Sequence, residues 1–254
     1  AVSGCVTSPA VQIVLDASNV NTASAASAYL QSVLLGSESP QGMFETRMLF
    51  NPQMKSAYNF VPGIMGLIFI LVCAMMTSVS IVREKEAGTM ELLLVSPVRP
   101  FKIIFAKMIP YFGISCIVLA MILLLSRYLL GVPMSGGVAG ILTVSLLYLL
   151  LSLSLGLLVS TMARTQVTAL LISGMVIMLP IMMLSGLVFP IENLPNVFKA
   201  VSCIVPARWY IDAIRKMMIQ GAPLAAVMDD FAILFAMTVV LLAVSLRKFN
   251  DKLE

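Results

Sequence analysis

Along most of this chain, apolar residues follow one another with little interruption. Residues 61–82 carry no charged side chain, and 108–130 carry only Arg127, near the far end. Residues 138–160, 167–189 and 231–246 are likewise uncharged. Runs of roughly 18 or more apolar residues predict membrane spans. Lipid offers no partner to exposed backbone groups, so such spans must be helices. The fifth run is short and is expected to begin a little before Phe231. Pro180 is expected to kink the fourth span.

Between the first two spans lies a patterned charged segment, residues 83–107. Arg83-Glu84-Lys85-Glu86 alternates in sign, and Glu91 follows Ala87-Gly88-Thr89-Met90. On a helix, Glu84 shares a face with Gly88, and Lys85 with Thr89. Gly88 would let a partner backbone approach closely. Leu92 to Val95 form an apolar patch, which Ser96-Pro97 ends. Phe101, Ile104, Phe105 and Met108 recur at helical spacing, so this stretch is expected to lie along the membrane surface. The segment reads as a cytoplasmic contact element through which a partner pushes on the spans. The plainer alternative is a solvated positive loop.

Residues 1–60 are rich in Ser, Ala and Asn. Val11-Gln12-Ile13-Val14-Leu15 suits a buried strand, residues 21–35 a helix ending before Gly36, and 43–50 a second strand. This predicts the tail of a small α/β domain with too little core to stand alone, so the sequence is expected to start partway through a longer protein.

The 190–230 connection is long and unusually apolar. Pro190, Pro195, Pro206 and Pro223 punctuate it, and two short amphipathic segments, 196–205 and 207–219, lie between them. Neither is long enough to cross a bilayer. They read as a re-entrant or interfacial helical hairpin over 190–227, with Trp209 and Tyr210 at the membrane interface. An ordinary loop lying on lipid is the alternative. Ser152, Gly156 and Ser160 place small residues on one face of the third span, which permits close helix approach either inside the molecule or at a dimer seam.

Composition sharpens this picture. The chain has 254 residues, 60% of them hydrophobic and 11% charged, and a mean hydropathy of +1.02. Soluble domains are about 25% charged, so this is a polytopic membrane protein. The net charge of +4 reflects loop lysines and arginines rather than nucleic-acid binding. Segment 83–107, loop 161–166 and the C-terminal tail hold nine Lys and Arg, against four in the remaining loops between spans. The asymmetry puts 83–107 and the C-terminus in the cytoplasm and residues 1–60 outside.

The chain has no histidine, which excludes His-based triads and His metal sites. The four cysteines form no CxxC motif, and no GxxxxGK[ST] phosphate loop occurs. The spans carry no mid-membrane Asp, Glu or Lys of the kind ion-coupled transporters use. If the protein moves something, the energy comes from a partner. An intramembrane enzyme is disfavoured on the same grounds.

Three stretches carry a family resemblance. Residues 82–97, VREKEAGTMELLLVSP, resemble the RE(R/K)E-x-GT-x-E-x-L-x-(V)-(S/T)-P signature of type-2 ABC exporter permeases. Residues 184–195, LSGLVFPIENLP, resemble that family's SG-x-x-FP-x-x-x-(L/M)-P motif. Residues 11–35 are similar to the tail of the outer domain in the subgroup with a large extracytoplasmic domain. That subgroup has six spans, the first near the N-terminus, and it has no counterpart here.

The resemblance implies an all-α polytopic membrane protein with five visible transmembrane helices and an outer re-entrant hairpin, preceded by the tail of an α/β extracytoplasmic domain. The boundary is expected near residue 60, with 61–254 as the transmembrane domain. It implies a permease dimer, of two copies or of paralogues, on two cytoplasmic ABC ATPase subunits that bind ATP and Mg. This chain itself holds no cofactor and no metal. Arg83, Glu84, Lys85, Glu86, Gly88, Thr89 and Glu91 would match the coupling helix. Ser185, Gly186, Phe189, Pro190, Pro195, Pro206, Trp209 and Tyr210 would match the outer gate and hairpin. The setting is the bacterial inner membrane, with lipid and, in some systems, a periplasmic adaptor as further partners. Export of drugs or lipids follows by analogy, and charge reversal at Glu84 and Glu86 is expected to abolish transport. The competing reading is a membrane scaffold or sensor whose outer domain binds a ligand.

Overall fold

The computed structural model describes residues 11–16, 20–34, 44–49, 56–88, 100–187, 191 and 194–250. The chain divides into two compact units, 1–59 and 60–254. In the first, β1 (Val11–Asp16) and β2 (Phe44–Leu49) pair in parallel, Val11 opposite Phe44 through Asp16 opposite Leu49. Parallel strands need a crossover, and helix α1 (Val20–Leu34) lies in that connection and packs on β1.

The second unit is helical. It comprises α2 (Ser56–Glu86, whose first turn belongs to the first unit), α3 (Pro100–Tyr128), α4 (Val138–Met162), α5 (Gln166–Leu184), α6 (Asn196–Ser202), α7 (Pro206–Met218) and α8 (Met228–Asn250). Among the described residues, five stretches are long and apolar enough to cross a membrane: Phe60–Glu86, Phe105–Tyr128, Val138–Met162, Gln166–Leu184 and Leu224–Lys248. The last begins in a 3₁₀ turn, Leu224–Val227, ahead of the expected Phe231.

Helix α4 is the centre of the bundle. It packs against α3, α5, α7 and α8, and 67% of its most apolar window is buried, against 22% for α3 and 17% for α5. The outer spans turn Ile117, Met121, Val176, Leu179 and Val240 outward. In water such faces would aggregate; in hydrocarbon they need no cover. Along α2, Met65, Phe69, Cys73 and Thr77, with Ile70, Ala74, Ser78 and Ile81, form one buried face. The spacing of three and four is that of a helix stripe.

Two expectations change. Helix α3 runs without a break from Pro100 through Pro110 to Tyr128, so Phe101 to Met108 are the first turns of a span helix and not a separate surface helix. Helix α5 ends at Leu184, not at residue 189, because Gly186 turns left-handed (φ +79°) and closes the helix. Within α5, Ile172–Ile177 widens into a π-helical turn. Pro180 lies just beyond it and cannot bond the Val176 carbonyl four residues back, which falls inside that turn, so the irregularity immediately precedes the proline.

Candidate functional site

The predicted site residues gather at opposite ends of the bundle. At one end α2 stops. Ala87 N bonds the Arg83 carbonyl at 3.0 Å, and Gly88 N bonds the Lys85 carbonyl at 3.3 Å. Gly88 then turns left-handed (φ +69°). Among the described residues a Cβ added there would meet nothing within 4 Å, so the role this glycine shows is to terminate the helix. Thr89 and Glu91 lie outside the described residues.

Arg83 is exposed on the last turn of α2. The next three residues each bond a different helix. Glu84 pairs with Lys107 of α3, both side chains about three-quarters covered (26% and 24% exposed). Lys85 donates from Nζ to the Ser160 carbonyl in the last turn of α4. Glu86 accepts from the backbone N of Gln166 at 3.0 Å and from its Nε2 at 2.5 Å, at the first residue of α5. Beneath them Val82, Ala163 and Ala169 form a small closed core. Lys107, Ser160 and Gln166 were not legible as partners, because nothing in their local sequence marks them.

At the other end, α7 is set into the bundle. Pro206 occupies its first turn, where the missing N–H costs nothing. Ala207, Tyr210, Ile211, Ala213, Ile214, Met217 and Met218 are buried against α4 and α8. Its apolar face therefore lies on protein and not as a loop on lipid. Pro195 precedes α6 in extended conformation; α6 leaves Val197, Phe198 and Val201 exposed. Phe189 and Pro190 lie outside the described residues.

Trp209 and Tyr210 part company. Tyr210 is fully buried and is not an interface residue. Its ring stacks on Tyr148 of α4 (centroids 4.1 Å, planes 8° apart) and meets Phe69 edge-on at 6.2 Å. Its hydroxyl is 3.0 Å from Ser145 Oγ, and Tyr148 Oη donates to the Gly66 carbonyl at 2.9 Å. Trp209 is half-buried. Its Nε1 donates to the Cys203 carbonyl at 3.1 Å, and Arg208 lies over its ring. Helical phase separates the two neighbours by about 100°.

The turn after α5 joins the same end. Ser185 is buried. Arg215 Nη2 of α7 donates to the Gly186 carbonyl at 3.3 Å. Leu187 packs over Gly63 of α2, where a Cβ would come within 2.1 Å of Leu187 Cδ1. Arg215 was missed by sequence reasoning, since one arginine on an amphipathic helix reads as solvated.

Lys216 of α7 pairs with Asp230 of α8 at 2.7 Å, and Asp212 stands at 3.8 Å. Burial opposes the Lys216 charge, but the hydrogen bond it donates to Asp230 and the fields of Asp212, Asp230 and Asp229 outweigh it, so its ammonium is held above the ordinary lysine range. A raised lysine contributes stability that is full below the unfolded value and is lost as pH rises through the folded one. Asp230 is only 7% exposed. Lys216→Ala is therefore expected to destabilise by about 1–3 kcal/mol, because it strands a buried carboxylate. Asp230→Asn is expected to cost less, because Lys216 is 38% exposed and keeps Asp212 and water. Melting curves of both variants in detergent check the order; equal losses would refute the asymmetry.

The described residues hold no cluster of three or more Cys, Asp or Glu that could bind a metal. The family model described as ABC-2 family transporter protein matches residues 6–247. The probable multidrug ABC transporter permease YbhS of Escherichia coli strain K12 is 30% identical over 255 residues, covering 96% of this chain and 68% of that protein. YbhR of the same strain, also a probable multidrug ABC transporter permease, is 28% identical over 95% of this chain and 68% of its own length. ABC transporter G family member 20 of Dictyostelium discoideum is 28% identical over 80% of this chain and 28% of its own. No solved structure gives a significant match. A match that runs through all five spans and both ends of the bundle places this chain in the ABC-2 transporter family, as a multi-pass membrane permease subunit of an ABC transporter.

Proposed function

We propose that this chain is the permease half of an exporter, moving substrate outward when a separate cytoplasmic ATPase acts on the end of α2. The observation that carries the reading is the course of α2. One continuous helix joins the charged end, at 84–86, to the hairpin end, where Gly63 and Gly66 abut Leu187, Tyr210 and Ile211. Motion imposed at residues 83–91 reaches the hairpin through a single rigid element. In this reading 83–107 and the C-terminus are cytoplasmic, the 190–227 hairpin and its SGLVFP turn form the outer gate, and residues 1–60 belong to an extracytoplasmic domain. ATP and Mg are bound by the ATPase, and a second permease copy or a paralogue completes the assembly. A periplasmic adaptor suits the outer domain. The names of the Escherichia coli relatives include "multidrug", which supports lipophilic, structurally varied cargo.

The test is purification of the full-length protein from its native membrane, with mass spectrometry of what accompanies it. A co-purifying P-loop ATPase at near-equal stoichiometry is expected. Intact, monodisperse protein with no ATPase at any stoichiometry would leave the exporter without an engine and favour a sensor with an outer ligand-binding domain.

A further inference from the structure

At the charged end the signs of three consecutive residues match what each one faces. The side chains of residues 84–86 leave α2 about 100° apart, so they point to three neighbours. Glu84 meets a cation, Lys107, on α3. Lys85 meets the C-terminal turn of α4, where carbonyls and the helix dipole favour positive charge. Glu86 meets the start of α5, where its carboxylate takes a backbone N–H that the helix cannot satisfy internally. The alternation of sign, which in the sequence suggested a face offered to a partner, fits three internal poles instead.

We propose that Glu84, Lys85 and Glu86 are positioning residues that fasten the end of α2 to α3, α4 and α5, so that a push on this end moves four spans together. The exposed Arg83 is then left to face the ATPase. This inference rests on the coupling role proposed above and assigns that end its internal division of labour. Glu86 and Gln166 grip α5 below its π-helical turn, and Ser78 Oγ bonds Ser173 Oγ within that turn at 3.1 Å. The first half of α5 is thus tied to α2 at two levels.

The experiment uses the full-length permease co-purified with its ATPase and reconstituted in proteoliposomes, with a fluorescent lipophilic cation as the transport probe. Four variants are compared with wild type: Lys107→Glu, Glu84→Lys, the double exchange of the two, and Gln166→Ala. Three quantities are read: ATPase stoichiometry, ATP hydrolysis, and probe moved per ATP. Lys107→Glu, Glu84→Lys and Gln166→Ala are expected to keep the ATPase bound and hydrolysing, while transport per ATP falls about tenfold, the scale of an ordinary coupling energy. The double exchange restores the 84–107 pair and is expected to recover most of the transport. A merely structural role would not leave hydrolysis intact while lowering transport per ATP. Release of the ATPase by Gln166→Ala or Lys107→Glu would overturn the inference, making these residues part of the docking surface. Wild-type transport per ATP in Gln166→Ala, or no recovery in a double exchange that melts and elutes like wild type, would overturn it too. Absence of ATPase from the wild-type preparation is a different failure: it overturns the exporter reading itself.

Discussion

Gly156→Leu is expected to yield no monodisperse bundle, and Gly156→Ala a protein that melts well below wild type. A Cβ at residue 156 would stand 2.7 Å from the Ala74 carbonyl oxygen, 2.9 Å from Ala74 Cα and 2.9 Å from Thr77 Cβ. Two of those atoms are backbone, so no rotamer change makes room, and α2 and α4 must move apart. Overfilling a packed core costs about 1–3 kcal/mol for one or two added groups. Between membrane helices the loss is felt fully, since association there rests on close van der Waals contact rather than on expelling water. The position is also central, because α4 packs against α3, α5, α7 and α8. Gly113 supplies the control. It is exposed on α3 with nothing within 4 Å of a Cβ, so Gly113→Leu is expected to fold and melt like wild type. Size-exclusion profiles and melting temperatures of the series Ala, Val, Leu at residue 156 check the argument. A wild-type melt for Gly156→Leu would mean that α2 and α4 do not pack this way.

Tyr210→Ala is expected to cost about 3–5 kcal/mol, the usual range for removing a buried aromatic ring. The ring fills the space among Tyr148, Phe69 and Gly66, and its loss leaves Ser145 Oγ without the Tyr210 hydroxyl. Tyr210→Phe keeps the stack and removes one buried hydrogen bond, so about 1 kcal/mol is expected. Trp209→Phe removes one bond at a half-exposed site and is expected to fall below both. Had the two aromatics been paired interface anchors, as their sequence suggests, Trp209 and Tyr210 would have shown similar losses. In the exporter reading the consequence is functional as well. Without Tyr210, α7 loses its hold on α2 and α4, and transport should drop more steeply than ATPase binding. A Tyr210→Ala protein with the stability of Tyr210→Phe would sink the assignment of Tyr210 as the hairpin's anchor.

The two ends of the molecule were unequally legible. That residues 83–86 matter was visible, because a compact sign-alternating run between two spans stands out against uncharged surroundings. Where their side chains go was not, because Lys107, Ser160 and Gln166 approach from three other helices, and no local pattern announces them. The hairpin was visible as two short amphipathic segments bracketed by prolines. Its seat inside the bundle was not, since the same amphipathicity suits a membrane surface. The Ser152, Gly156, Ser160 stripe shows the same division. The spacing announced close approach, and only the neighbouring Ala74 backbone decided that the approach is internal.

The number of spans, their helical nature and the two clusters of polar residues at their ends follow from the order of amino acids alone. The physical reason is the solvent: hydrocarbon demands long uncharged stretches with every backbone bond made within the segment, and that demand is written residue by residue. Which face of each helix meets which is settled in three dimensions. When a span is apolar on all sides, hydrophobicity no longer separates inside from outside, and the choice falls to shape and polar pairing. The missing Cβ of Gly156, the stacked rings of Tyr148 and Tyr210, and the three opposite poles around Glu84, Lys85 and Glu86 make that choice.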